Sequence, residues 1–64
     1  MTIMVNDQAQ PLASNLAELL DRMALGDAVV ATALNGHFVT VGERVNTLLA
    51  PGDRVEILAP MQGG

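Results

Sequence analysis

Cysteine does not occur in this chain of 64 residues. That absence excludes a disulfide framework, a thiolate nucleophile and any cysteine-ligated metal site. Small secreted domains commonly depend on disulfide staples, so a cytoplasmic location is expected. Tryptophan and tyrosine are missing as well, and Phe38 is the single aromatic residue. The core must therefore be assembled from Leu, Val, Ile, Met and Ala. Basic residues are scarce: Arg22, Arg44 and Arg54 stand against seven acids for a net charge of −4, and lysine is lacking altogether. Nucleic acid, whose phosphates need a basic footprint, is not an expected partner. A protein partner with a basic surface suits this charge better. No apolar run approaches the roughly 20 residues that span a bilayer, so no membrane partner is expected. Residues Met1 to Asp7 hold no basic region followed by a long apolar one, so no signal peptide is expected.

Against these absences, 50% of the residues are hydrophobic, which suits a folded domain and argues against disorder. The length fits one domain. A chain this short buries only about 60% of its unfolded surface, leaving no room for a deep cleft beside a core. It is not expected to be an enzyme in its own right.

The pattern along the chain predicts an α+β layout. Thr2 to Val5 reads as a strand, Asn6-Asp7 as a turn, and Ala9 to Leu12 as a returning strand, with Pro11 acceptable only at a sheet edge. Ser14 or Asn15 can cap a helix, and Asn15 with Glu18 has capping-box spacing. Leu16, Leu19, Leu20 and Met23 recur at helical spacing and form one apolar stripe, expected to face Val55 and Ile57 in the core. Gly26, without a Cβ, is the expected left-handed stop. Ala28 to Leu34 is continuous enough in apolar character to predict a strand buried on both faces. Asn35-Gly36 favours a two-residue hairpin turn, and His37 to Val41 runs back antiparallel. Gly42 to Leu49 is irregular, with room for a short helical turn. Pro51-Gly52-Asp53 is a tight turn before a last strand, Arg54 to Leu58, whose alternation puts Val55 and Ile57 on one face and Arg54 and Glu56 on the other. The expectation is a sheet of four or five strands with one main helix on one face, a domain over residues 1–58, and a flexible tail over 59–64.

Searching the chain for chemistry leaves little. The acids Asp7, Glu18, Asp21, Asp27, Glu43, Asp53 and Glu56 are spread over turns and exposed faces, where solvated surface charge is the better reading. His37 is the only histidine, beside a hairpin turn, and has no companions for a metal or a catalytic set. The six glycines form no phosphate-cradling loop, so any nucleotide must sit on a partner.

The end of the sequence is different. Ala59-Pro60-Met61-Gln62-Gly63-Gly64 closes on a Gly-Gly pair that chance supplies in roughly 0.5% of chains. Pro60 favours extended geometry at Ala59, and six extended residues reach about 20 Å. Two residues without Cβ can pass a narrow channel and adopt whatever backbone angles an active site demands. A carboxylate on such a tether can attack the α-phosphate of ATP, and the resulting acyl-adenylate can accept sulfur. The absence of lysine means that no internal side-chain amine would trap the activated acyl group. The competing reading of these residues is a glycine-rich terminus with no role.

An ordered set of short segments tips that balance. Met4-Val5-Asn6-Asp7, Leu16-Ala17-Glu18-Leu19-Leu20, Ala33-Leu34-Asn35-Gly36 with Val39, Leu49 through Ile57, and Gln62-Gly63-Gly64 together resemble the ThiS family, the sulfur carriers of bacterial thiamine biosynthesis. The resemblance spans essentially the whole chain. It implies a β-grasp, ubiquitin-like fold and no bound cofactor. An E1-like adenylyltransferase of the ThiF type would activate the carboxylate of Gly64 with Mg-ATP, and a sulfur donor such as a cysteine desulfurase system would turn it into a thiocarboxylate. A thiazole synthase of the ThiG type would then take the sulfur into the thiazole ring. Gly63 and Gln62 would thread the partner's active site, and Arg54, Glu56 and Leu58 form the candidate partner surface. One departure is visible: the family often has Pro-Arg after the position of Val39, where this chain has Thr40-Val41-Gly42-Glu43-Arg44. Other readings stay open at this point: a MoaD-like small subunit of molybdopterin synthase, a carrier for another sulfur metabolite, a ubiquitin-like protein modifier, or a purely structural binding module.

Overall fold

A computed structural model describes residues 1–59. Its elements are β1 (Thr2–Val5), β2 (Gln8–Pro11), α1 (Leu16–Arg22), β3 (Ala31–Leu34), β4 (His37–Val39), a short 3-10 helix (Val41–Asn46) and β5 (Arg54–Leu58). The five strands form one sheet in the order β2-β1-β5-β3-β4, with β1 and β5 parallel at its centre and the remaining pairs antiparallel.

Local chemistry explains most of these boundaries. Asn6 and Asp7 (φ 49° and 67°) and Asn35 and Gly36 (φ 50° and 85°) all take left-handed backbone, as two-residue hairpins of the primed type require. Asn and Asp tolerate that region and Gly enters it freely. Pro11 lies in β2, an edge strand, where a missing N–H breaks no central ladder. Asn15 caps α1 by accepting the Glu18 N–H at 2.8 Å, and the Glu18 carboxylate reaches back to the Ser14 N–H at 3.0 Å. The capping box therefore closes one residue earlier than its usual form.

The end of the helix corrects the sequence reading. The left-handed residue is Ala24 (φ 62°), not Gly26. The Ala24 N–H donates to the Asp21 carbonyl at 3.0 Å and the Leu25 N–H to the Leu20 carbonyl at 2.7 Å, the two bonds of a Schellman motif. Leu25 packs against the core, and this anchor holds Ala24 in the costly conformation. Gly26 does not take left-handed backbone, and a Cβ there would meet only the outer end of the exposed Asp21 side chain, which can turn aside.

A second correction concerns β3. The strand begins at Ala31 rather than Ala28, Val29 is 81% exposed, and only Thr32 within the strand is fully buried. Only one sheet face carries the helix, so the apolar run Ala28–Leu34 meets a cover on one side alone. The returning strand likewise stops at Val39, because Val41 already begins the 3-10 helix.

The core lies between α1 and the inner face of the sheet. Leu16, Leu19 and Leu20 meet Ile3, Val5, Val55 and Ile57, closed at the ends by Ala13, Val39 and Leu49. Met23 is only half-buried against this cluster. Thr32 and Arg44 are the buried polar residues among those described.

Candidate functional site

Strand β5 is the last described element and precedes Gln62-Gly63-Gly64 in the sequence, so the site is built from β5 outward. Alternation sends Val55 and Ile57 into the core and leaves Arg54, Glu56 and Leu58 on the uncovered face. Register sets their neighbours there: Arg54 beside Met4, Glu56 beside Ala33, and Leu58 beside Ala31. Phe38 of β4 stands opposite Ala33 and extends this face. Phe38 and Leu58 are 70% and 64% exposed, a large apolar investment for a small face without a cover. The face is thus apolar toward β4 and the end of β5, and charged toward β1.

On the charged side, Arg54 Nη2 meets Asp7 Oδ1 at 2.8 Å, with both side chains well exposed. Such a pair orients groups more than it stabilises the fold. Met4, Asn6, Asp7, Arg54 and Glu56 border an open depression of about 370 Å³ beside it. At the apolar end, Val29, Val30, Ala31, Leu58 and Ala59 line a shallow groove of about 380 Å³, at the point where the described chain stops.

Side chains add to the β3–β5 pairing at this end. Arg44, 5% exposed, donates from Nη2 to the Val30 carbonyl at 2.7 Å and from Nε to Thr32 Oγ1 at 3.1 Å. Thr32 Oγ1 in turn donates to the Val39 carbonyl at 2.9 Å. Across β5, the Asn6 carboxamide donates to the Ile57 carbonyl at 3.0 Å and accepts the Ile57 N–H at 2.8 Å. At the start of the strand, Asn35 Oδ1 accepts the Arg54 N–H at 2.9 Å.

Of the residues singled out from sequence, Arg54, Glu56 and Leu58 share one exposed face. Gln62, Gly63 and Gly64 lie outside the described residues. Reading the sequence missed Arg44, which composition alone lists with two surface arginines, and missed the bridging roles of Asn6 and Asn35. An Asn in the left-handed turn position was the available signal for the last two, since its short amide can reach neighbouring backbone. His37 sits on the exposed β3–β4 hairpin. Among the described residues no group of three His, Asp or Glu side chains is placed to hold a metal ion, and no helix is long and apolar enough to cross a membrane.

A five-stranded mixed sheet grasping one helix, with the final strand at its centre, defines the β-grasp class. Comparison with known proteins agrees. The ThiS family model matches residues 3–64, and the chain belongs to that family of small sulfur carriers of thiamine biosynthesis. A crystal structure of a thiamine biosynthesis protein (ThiS) from Geobacter metallireducens is 32% identical, with full coverage of both chains and a TM-score of 0.82. An NMR solution structure of a thiamine biosynthesis protein from the same organism is 30% identical, covering 100% of this chain and 88% of that one, with a TM-score of 0.77. No curated protein matches the chain.

Proposed function

We propose that this protein carries sulfur for the thiazole ring of thiamine as a thiocarboxylate on Gly64. The observation that carries the reading is the family match, which runs through Gln62-Gly63-Gly64. In the first step a carboxylate oxygen of Gly64 attacks the α-phosphorus of Mg-ATP, and pyrophosphate leaves. In the second, sulfide attacks the acyl carbon, the bond to AMP breaks, and the thiocarboxylate remains. The protein supplies the acyl group and its reach. An E1-like adenylyltransferase supplies the nucleotide site, a cysteine desulfurase system is the physiological sulfur source, and a thiazole synthase is the acceptor.

The domain contributes a rigid base and a docking face. Arg54 and Glu56 give that face orientation-dependent charge, and Leu58 and Phe38 give it apolar area. Such a mixture suits a carrier that must bind and leave more than one enzyme. The two thiamine biosynthesis neighbours favour this assignment over a MoaD-like subunit or a protein modifier.

Incubation with an E1-like adenylyltransferase, Mg-ATP and sulfide, followed by intact-mass measurement, tests the reading. The chain should gain the mass difference between sulfur and oxygen, located at Gly64. Deleting Gly64, or adding one residue after it, moves the carboxylate by about 3.5 Å. A misplacement of about 1 Å can already cost on the order of 100-fold in rate, so both variants should remain unmodified. A wild-type chain that stays unmodified by an enzyme active on a control carrier would end the proposal.

A further inference from the structure

The two edges of the sheet differ. At the β2 edge, the turn Asn6-Asp7 makes Val5 and Gln8 the closing pair of a two-residue hairpin, so Ala9 and Pro11 are the residues whose backbone faces outward. Pro11 has no N–H to offer, and the Arg22 guanidinium donates to its carbonyl. A proline and a charge are two devices that blunt an edge against a further strand, and this edge has both. At the β4 edge, Asn35-Gly36 makes Leu34 and His37 the closing pair, and Thr32 and Val39 exchange backbone bonds two residues further on. The Asn35 N–H donates to the Arg54 carbonyl at 2.7 Å, so the alternate residues of β3 face β5. The N–H and carbonyl of Phe38 therefore point out of the sheet. Thr40 continues the extended backbone (φ −72°, ψ 162°), its carbonyl accepts the Glu43 N–H at 3.1 Å, and no hydrogen bond among the described residues takes its N–H. This edge carries neither proline nor charge.

We propose that β4 pairs with β4 of a second copy of this chain, antiparallel about a twofold axis at Phe38. Each Phe38 N–H then donates to the Phe38 carbonyl of the other copy, because a strand whose central residue holds the outward groups is its own complement. Phe38 is largely exposed on the uncovered face, and the symmetry sets its ring beside its counterpart as a cross-strand aromatic pair. Charge decides where copies of an acidic chain can meet. The net charge of −4 makes them repel over most of their surface, yet no acid or arginine occurs between Asp27 and Glu43, a stretch that holds all of β3 and β4. With a strand of 3 residues at its centre, the contact is smaller than a standard interface. The dimer is therefore weak, with a Kd of roughly 0.1–1 mM. The inference rests on the sheet alone and does not require the carrier reading.

Sedimentation equilibrium of the wild-type chain from about 20 μM to about 2 mM should pass from monomer to mostly dimer. Thr40→Pro removes the outward N–H and sets a ring on the edge, at a position whose φ of −72° already suits proline. Phe38→Lys places like charges opposite each other and guards against a poorly folding proline variant. Each should weaken dimerisation by at least 10-fold while circular dichroism shows the wild-type fold. Leu58→Lys, on the same uncovered face but two strands in from the edge, should dimerise as wild type does. Hydrogen exchange at the Phe38 N–H should slow by about 2-fold or more from the dilute to the concentrated sample, and that at Val39 should not. A wild-type chain that stays monomeric at about 2 mM, or a dimer that both edge variants keep, overturns the inference. Loss of the dimer in Leu58→Lys alone moves the contact to the sheet face and overturns it too. So does a monomeric wild type whose enzyme docking is lost in Thr40→Pro, since the edge would then take a strand of the enzyme. None of these outcomes touches the mass test of Gly64, and a failure there leaves the dimer standing.

Discussion

Replacing Arg44 probes how the sheet is held near the end of β5. The guanidinium is withdrawn from water, 5% exposed, and no carboxylate lies within salt-bridge distance of it among the described residues. Its work is to donate to the Val30 carbonyl at 2.7 Å and to Thr32 Oγ1 at 3.1 Å. Met at this position retains most of the stem packing but strands the Val30 carbonyl. Leaving such a group without its donor costs roughly 1–3 kcal/mol. Thr32 is not stranded, because its hydroxyl keeps the Val39 carbonyl as acceptor. Ala also removes the apolar stem and opens a cavity, for a total of roughly 2–4 kcal/mol. A domain of 64 residues has about 3–10 kcal/mol in all, so Arg44→Ala should be near the threshold of folding at 37 °C. Urea unfolding followed by far-UV circular dichroism is the suitable assay, since Phe38 is the only aromatic and intrinsic fluorescence is weak. The expected order of stability is wild type, Met, Ala. A loss below about 1 kcal/mol for Ala, or a Met variant as stable as wild type, would refute the reasoning. The second outcome is a real physical alternative, because burying a guanidinium carries a desolvation cost that an apolar side chain avoids.

Two further expectations follow from other parts of the molecule. Ala24→Gly should stabilise by about 0.5–1 kcal/mol, since relief of left-handed strain of about 1–2 kcal/mol outweighs the added freedom of the unfolded chain; a lower urea midpoint would contradict the Schellman assignment. Reversing charge at Arg54 or Glu56 should weaken docking to the activating enzyme by on the order of 10-fold, chiefly through slower association. The same changes should alter stability by less than about 1 kcal/mol, because the Arg54–Asp7 pair is solvent-screened. Unchanged association kinetics at low salt would remove both residues from the partner surface.

Much of the fold was legible because it is written in local patterns. The stripe of Leu16, Leu19 and Leu20 and the alternation of Val55 and Ile57 each bury one face of one element, and each shows as a periodicity. Asn35-Gly36 and Asn6-Asp7 specify their turns through residues that tolerate left-handed backbone. The errors arose where a local signal had two meanings. Gly26 looks like a helix stop, but Ala24 takes the left-handed position. The run Ala28–Leu34 looks doubly buried, but an uncovered sheet face can be as apolar as a core face.

The sequence by itself determined the layout of one helix on one sheet, the split of β5 into core and surface residues, and the Gly63-Gly64 pair on which the proposed chemistry rests. These depend on spacing within a few residues, which the chain displays directly. Tertiary structure alone decided that Arg44 is buried while Arg22 and Arg54 are not, and that Asn6 reaches Ile57 across a sequence gap of 51 residues. Both outcomes depend on which backbone groups are left without partners once the strands have paired. An orphaned carbonyl or N–H exists only in the assembled sheet, so nothing near Arg44 in the sequence could announce it, and the turn at Asn6 signals a local amide contact but not its distant partner.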